Sequence, residues 1–188
     1  MNDAPPLCLE IDSDTELRTL DPAHAPEFMA LIDQGRPYLR EWLSWLDRTR
    51  TLTDLLGFIA SCRQELASKT SIALWVWHQQ RIVGIVHLRD IDWVNRKAMI
   101  GYWVGEQFRG RGFAKRATRA LCAYAFGVLK LNRIEIRCAT GNTASQAVPT
   151  ALGFQREGVL HDNEWLYDHF VDHVVFCLLA KDSARTVG

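Results

Sequence analysis

The spacing of hydrophobic and polar residues predicts a chain that mixes helices with strands. Leu55, Ile59 and Leu66 recur at helical spacing within residues 53–67, and a second apolar stripe runs through residues 114–128. Apolar or alternating runs bounded by polar turns predict strands at residues 71–77, 81–89, 98–104, 133–138, 154–160 and 170–179. A helical front therefore precedes an antiparallel meander, which leads into alternating strands and helices.

Turn and cap residues predict where the first elements begin and end. A first strand covers residues 7–20 and is interrupted by a polar turn at residues 12–14. The helix that follows should break at Pro37, which has no backbone N–H to donate, and a short helix should resume over residues 38–46. Thr53 is then expected to cap the long helix.

Composition and charge narrow the class of protein. The 188 residues are 48% hydrophobic and 23% charged, without repeats or linkers, so we expect a single globular domain over residues 1–188. Lys and Arg total 22, as do Asp and Glu, so no net charge favours nucleic acid or an anionic membrane as a partner. No apolar run approaches the roughly 20 residues that span a bilayer, and the first ten residues do not resemble a signal peptide.

The cysteines and histidines predict neither disulfides nor a metal site. Five cysteines are scattered along the chain without a C-x-x-C pair, which disfavours both a disulfide framework and a thiolate zinc site. The six histidines match no metal-binding motif. We therefore expect no metal, and we expect a reducing, cytoplasmic location.

The most informative segment is QFRGRGFA at residues 107–114, which joins a predicted strand to a predicted helix. Gly110 and Gly112 allow a tight turn and a close approach of the backbone to a ligand. The N–H groups of the first helical turn would point at one spot, and Arg109 and Arg111 would add positive charge beside it. Such an arrangement predicts a site for the pyrophosphate of an anionic cofactor.

Two familiar phosphate loops do not fit this segment. A Walker A loop needs Gly-Lys followed by Ser or Thr, and a Rossmann fingerprint needs a third small residue where this chain has Lys115. Gln107, Gly110 and Gly112 instead resemble the Q/R-x-x-G-x-G/A loop of the GNAT superfamily of acyl-CoA N-acyltransferases. Three later motifs are similar to the RimJ/RimL branch, the N-terminal acetyltransferases of bacterial ribosomal proteins: NRIEIRC at 132–138, NTASQAVP at 142–149 and LGF at 152–154.

This resemblance implies a fold and an activity. The fold would be a mixed α+β GNAT fold, with a mostly antiparallel twisted sheet of about seven strands flanked by about four helices. The activity would be transfer of an acetyl group from acetyl-CoA to a primary amine by direct attack in a ternary complex. The preferred acceptor is a protein N-terminal α-amine, as on a ribosomal protein. Alternatives are a small amine (a polyamine, amino acid or aminoglycoside) and a non-catalytic acyl-CoA-binding regulator. Because members of the branch commonly dimerise, a homodimer is expected.

The resemblance also implies which residues contact acetyl-CoA. Backbone N–H groups of the glycine loop would hold the pyrophosphate, and the edge of the preceding strand would pair with the pantetheine arm and polarise the thioester. The residues expected to bind the cofactor are Trp103, Val104, Gln107, Phe108, Arg109, Gly110, Arg111, Gly112, Phe113, Ala114, Asn142 and Ser145.

Four residues are candidates for the chemistry. By resemblance, the Ser145 hydroxyl donates a hydrogen bond to the departing thiolate, although serine is also common in the first turn of a helix. Glu164, thought in RimL-like enzymes to act through a water, and Glu135, on the strand beside the cleft, are alternative bases, with Glu164 preferred. Cys138 is the alternative nucleophile for a route through an acyl-cysteine, but a strand cysteine is more often core filler.

The acceptor side is expected to be aromatic and acidic. Tyr38, Trp42, Trp45 and Trp165 would line an amine pocket or a dimer contact, or simply pack in the core. A basic peptide or polyamine would need an acidic entrance, and five carboxylates could supply it: Glu41, Asp47, Asp162, Glu164 and Asp168.

Overall fold

The computed structural model describes residues 6–183, so the first and last five residues of the expected domain lie outside it. The strands are β1 (Cys8–Asp12), β2 (Thr15–Thr19), β3 (Ile72–His78), β4 (Arg81–Asp92), β5 (Lys97–Val104), β6 (Arg133–Ala139), β7 (Gln155–Leu166) and β8 (His169–Leu179). The helices are α1 (Ala25–Gln34), α2 (Arg36–Arg40), α3 (Leu52–Ala67), α4 (Phe113–Gly127), α5 (Thr143–Ala151) and α6 (Ala180–Ser183). Within residues 6–183, no helix is both long and apolar enough to cross a membrane.

All eight strands belong to one sheet, in the order β1-β2-β3-β4-β5-β6-β8-β7. Every neighbouring pair is antiparallel except β5 and β6, which are parallel. That parallel pairing covers only residues 97–99 of β5 and 133–135 of β6. Beyond it β5 continues beside β4 as far as Val104, and β6 continues beside β8 as far as Ala139. The two strands therefore part at their carboxyl ends and leave a gap inside the sheet.

The expected mixed, mostly antiparallel fold is confirmed, but the element counts were too low. The chain reverses at the polar turn that was expected only to interrupt a first strand, so β1 and β2 form a hairpin with Leu9 opposite Leu17. Residues 6–183 therefore contain eight strands rather than the expected seven or so. The described residues also form six helices rather than about four, and two of these are short: α2 has five residues and α6 has four.

Two boundaries in the helical front were predicted wrongly. Pro37 does not end a helix, because α1 stops before Gly35 and Pro37 lies in the first turn of α2, where its missing N–H costs nothing. The predicted helix over residues 38–46 reduces to the end of α2 followed by turns. Thr51, not Thr53, caps α3, and its side chain exchanges hydrogen bonds with the first turn in a capping box.

Helices pack on both faces of the sheet. On one face, α4 buries Ala117, Leu121 and Ala125 of its predicted apolar stripe, whereas Val128 at the end of that stripe is 63% exposed. The buried cluster also contains Phe113, Leu74, Val86 and Ile100. On the other face, α1 and α3 bury a second cluster: Phe28, Ile32, Leu55 and Ile59 with Trp75, Trp77 and Ile85. Since successive strand residues face opposite sides, β3 is buried on both faces and reads as a continuous apolar run.

Close packing of β4 against β5 predicts opposite effects for two Gly→Ala substitutions. A Cβ at Gly84 would lie 2.3 Å from the carbonyl oxygen of Trp103, so β5 would have to move. We expect Gly84→Ala to lower the free energy of unfolding by about 1–3 kcal/mol. Gly57 lies within α3 with nothing within 4 Å of its Cβ position, so Gly57→Ala should raise it by about 0.5–1 kcal/mol. Urea unfolding measures both, and a Gly84→Ala variant as stable as the wild type would contradict this packing.

Candidate active site

A cavity of about 970 Å³ lies where β5 and β6 part. Gly110 and Gly112 line it on the side of α4, and residues 101–104 of β5 line its middle. Glu164 of β7 and His173 of β8 line it on the other side of the gap. The predicted phosphate loop and the preferred base therefore share one cavity.

The glycine loop has the backbone geometry that its sequence predicts. Gly110 and Gly112 have φ angles of +71° and +76°, in the left-handed region that glycine adopts without strain. Gly112 is the N-cap of α4 and offers no side chain to the first turn, whose N–H groups also lack intrahelical acceptors. The guanidinium of Arg109 stacks 4.2 Å from the ring centre of Tyr38, and Lys115 also lines the cavity. The loop therefore presents an anion site at the start of a 15-residue helix.

Ten of the twelve predicted cofactor residues line the cavity, and two do not. Gln107 is turned towards α1, where its side-chain amide donates a hydrogen bond to Gln34 at 3.1 Å. The guanidinium of Arg111 lies over the rings of Phe108 and Phe113, at 5.9 and 5.3 Å from their centres. Both side chains therefore hold the loop in place rather than face the cavity.

Ser145 lies in the cavity and in the first turn of α5 at the same time. Its backbone N–H donates to Oδ1 of Asn142, the N-cap of α5, at 2.9 Å. Its hydroxyl donates to Sγ of Cys138 at 3.2 Å and lies 3.4 Å from the Tyr102 hydroxyl, which donates to the Ser145 carbonyl at 2.7 Å. Burial, reinforced by the neighbouring Cys138, raises the pKa of Tyr102, so Tyr102 is a neutral donor. The sequence analysis did not single out Tyr102.

Glu164 is held at both of its carboxylate oxygens. Oε1 accepts a hydrogen bond from the Ser44 hydroxyl at 2.7 Å, and Oε2 lies 3.4 Å from Nε2 of His173. The other ring nitrogen of His173 is 2.7 Å from the side-chain amide nitrogen of Asn163. Because that amide donates, Nδ1 accepts, and Nε2 carries the proton that faces Glu164. Neither Ser44 nor His173 was predicted as a site residue, since their approach to Glu164 depends on tertiary packing.

Glu135 and Cys138 are less suited to the chemistry than Glu164. Glu135 does not line the cavity, and it forms 3.0 Å hydrogen bonds with both Arg133 and Arg137. Burial by itself would raise the Glu135 pKa, but these hydrogen bonds lower it overall, which makes Glu135 a weak base. Cys138 lines the cavity, but burial raises its pKa and keeps the thiol protonated. The structure therefore disfavours Glu135 as the base and Cys138 as the nucleophile.

Three of the four aromatic residues that were expected to line the acceptor pocket line the cavity. Tyr38, Trp42 and Trp45 line the cavity. Trp165 does not, because its ring packs edge-on against Phe170 at 4.8 Å, and both residues are about half exposed on the β7–β8 hairpin. The expectation that Trp165 lines an amine pocket was therefore wrong.

The expected acidic entrance was also wrong. Among the described residues that line the cavity, Glu164 supplies the one carboxylate, and the cations are Arg89, Arg109, Lys115 and Arg137. Asp47 is paired with Arg40 at 2.9 Å, and together with Glu41 and Asp168 they line a separate pocket. Arg109 and Lys115 lie beside the glycine loop, so Arg89, Arg137 and Glu164 are the charged residues that line the rest of the cavity.

One group of potential metal ligands lies beside the cavity. Donor atoms of Cys62, Glu65 and His87 are within 4.8 Å of one another. Burial raises the pKa of the Cys62 thiol to about 12, and Nε2 of His87 is hydrogen-bonded to the Ser71 hydroxyl. Because a thiol binds metal as a thiolate, this group is poorly prepared for a metal, and the chemistry described below does not use it.

Comparisons with known proteins identify relatives that span most of this chain. Residues 14–155 match the family model described as an acetyltransferase (GNAT) domain. The chain is 33% identical over 174 residues to the "Putative ribosomal N-acetyltransferase YdaF" of Bacillus subtilis strain 168, which covers 92% of this chain and 95% of that protein. It is 24% identical over 164 residues to the ribosomal-protein-serine acetyltransferase of Escherichia coli K12, at 87% and 92% coverage.

A solved structure shows the same fold. The crystal structure of the microcin C7 self-immunity acetyltransferase MccE, in complex with acetyl-CoA and AMP, has a TM-score of 0.86 to this chain. The two sequences are 26% identical, and the alignment covers 90% of this chain and 94% of MccE.

Proposed function

This chain belongs to the GNAT acetyltransferase family, and on that premise we propose that it transfers an acetyl group from acetyl-CoA to the N-terminal α-amine of a protein. The observation that carries this proposal is that one cavity connects the glycine loop to Glu164 through the gap between β5 and β6. A donor held at the loop and an amine beside Glu164 would meet within the gap. Proximity of this kind is a major source of rate acceleration.

The residues on the donor side suit acetyl-CoA, whose thioester supplies the activated acetyl group. The left-handed glycines and the uncapped first turn of α4 would hold the pyrophosphate, with Arg109 and Lys115 nearby to neutralise phosphate charge. Trp103 and Val104 lie beyond the point where β5 pairs with β6, so their edge of β5 can hydrogen-bond to the pantetheine arm. Asn142 fixes the start of α5 and thereby the position of Ser145.

The residues on the acceptor side suit proton removal from an amine. Glu164 would accept the proton that the amine nitrogen loses as the new C–N bond forms, directly or through a water. Ser44 and His173 fix the carboxylate by contacting one oxygen each. As the C–S bond breaks, the hydroxyl of Ser145 would donate a hydrogen bond to the departing sulfur. Direct attack in a ternary complex requires no covalent enzyme intermediate, in keeping with the protonated thiol of Cys138.

A protein N-terminus is the acceptor favoured by two observations. The curated relatives reported above are named as acetyltransferases of ribosomal proteins. Arg89 and Arg137, on the acceptor side of the cavity, argue against a polyamine, which is one of the small-amine alternatives. The expected homodimer, the single-domain organisation and the cytoplasmic location stay predictions. The exposed pair Trp165 and Phe170 is a candidate for the dimer contact.

Thiol release from acetyl-CoA tests the acceptor class directly. We expect turnover with short peptides that carry a free N-terminus, and no turnover with the same peptides after N-terminal blocking. Spermidine and an aminoglycoside should be at least about tenfold poorer acceptors in kcat/KM, because Arg89 and Arg137 repel their additional positive charges. Turnover with small amines alone would contradict the proposed acceptor. Tight binding of acetyl-CoA without turnover of any amine would instead support a non-catalytic acyl-CoA-binding protein.

Two isosteric substitutions test which of the two glutamates acts as the base. Glu164→Gln should lower kcat by about 10²–10⁴-fold with peptide acceptors, since the amide cannot accept the proton. It should leave the Kd for acetyl-CoA unchanged, because Glu164 lies across the gap from the loop. Glu135→Gln is the matched control, which should change kcat less than about threefold because Glu135 lies outside the cavity. Steady-state kinetics on both variants, with melting temperatures as a check on folding, measures the difference. Equal losses in the two variants would contradict the assignment.

A further inference from the structure

Two arginines flank the acceptor side of the cavity. Arg89 of β4 and Arg137 of β6 both line it, and these strands lie on either side of β5. Burial is the main cause of the lowered pKa of His173. The Glu164 carboxylate opposes that shift, and the positive charges of Arg137 and Arg89 lower the pKa further. His173 contacts Glu164, so a positive region lies next to the proposed base.

Each of the two guanidinium groups has N–H donors that its ion pair does not use. Arg137 donates from Nη2 to Glu135 at 3.0 Å, which uses one part of a group with five N–H donors. The nearest carboxylate paired with Arg89 is Asp90, at 4.0 Å, and both side chains are more than half exposed. An exposed ion pair at that distance contributes little to stability, so Asp90 competes only weakly with a ligand for Arg89.

The part of β5 that lies between the two arginines leaves open space in the cavity. Gly101 of β5 lies opposite His87 of β4 and lines the cavity, and a Cβ at Gly101 would have nothing within 4 Å. His87 is half-buried with its pKa lowered to about 4 by desolvation, so it adds no positive charge at neutral pH. The charge at this end of the cavity is therefore concentrated on Arg89 and Arg137, with room for a ligand beside them.

We propose that Arg89 and Arg137 form a subsite for a carboxylate that the acceptor carries close to its amine. This inference rests on the proposed function, and on a protein N-terminus the carboxylate is the side chain of Asp or Glu within the first three residues. An extended chain advances about 3.3 Å per residue, so such a carboxylate lies within roughly 10 Å of the α-amine. Arginine binds a carboxylate through paired hydrogen bonds, which gives specificity as well as attraction.

A peptide series on the wild-type protein tests the subsite. The peptides are identical except at residues 2 and 3, which are acidic (Asp, Glu), their amides (Asn, Gln) or Lys. We expect kcat/KM to be about tenfold or more higher for the acidic peptides than for the amides, and lowest for Lys. Raising the salt concentration should reduce the preference, since both arginines are partly exposed.

Substitutions of the two arginines test whether they cause the preference for acidic peptides. Arg89→Gln with Arg137→Gln should lower the ratio of kcat/KM between acidic and amide peptides from about tenfold to about one, and this ratio within each variant is the quantity compared. Arg119→Gln, which removes an exposed cation from α4, is the matched control and should leave the preference intact. Arg137→Lys keeps the charge without the paired donors, and we expect it to retain only part of the preference.

The outcomes distinguish this inference from the function on which it rests. Equal kcat/KM for acidic and amide peptides, or a preference that survives in the double variant, would overturn the subsite and leave the N-terminal acetyltransferase intact. Turnover confined to small amines, or absent altogether, would overturn the proposed function and the subsite with it.

Discussion

The short parallel pairing of β5 with β6 is the constraint on which the rest of the site depends. The strands share three residues each and then part, so the main-chain groups of residues 100–104 face a gap on one side. Unpaired strand edges are costly when buried and attract other extended chains. Here the gap opens into the cavity, where an extended ligand arm can replace the missing strand. The glycine loop follows β5, whereas Glu164 reaches the gap from β7, which is joined to β6 through β8.

The packing of α4 fixes the loop side of that gap. Its apolar stripe is buried against β4 and β5, so the first turn of the helix cannot move independently of β5. Gly112, in the left-handed conformation, directs the chain from the loop into this helix. Arg111 and Gln107 hold the loop from outside, by stacking on aromatic rings and by hydrogen-bonding to α1. Such a preformed anion site needs little rearrangement when it binds a ligand.

Site residues could be predicted from the sequence where their role depends on the local backbone conformation. They could not be predicted where the role depends on contacts made only in the folded protein. Gly110 and Gly112 could be found because a positive φ restricts a single position. Ser44, by contrast, meets Glu164 across 120 residues, and no periodicity predicts that contact. His173 was missed for the same reason, since its role depends on the register of β8. Trp165 was placed wrongly because an aromatic residue on a strand can face either side of a hairpin.

The fold itself was predictable to a similar extent. The alternation in β6 and the apolar stripe of α4 gave these elements within a residue or two. The hairpin of β1 and β2 was missed because two short strands around a polar turn have the same pattern as one interrupted strand. Charge in the cavity was not predictable either, because the chain has equal totals of acidic and basic residues and folding decides which of them converge.

The most direct measurement is backbone amide NMR during titration with acetyl-CoA. If the gap holds an extended ligand arm, the amides of residues 101–104 and of residues 110–115 should shift together, and hydrogen exchange should slow at those amides of residues 101–104 that face the gap rather than β4. Amides in β1 and β2, far from the cavity, should stay unchanged. Binding of acetyl-CoA that leaves the gap-facing amides of residues 101–104 unprotected would contradict a site built on the separation of β5 from β6.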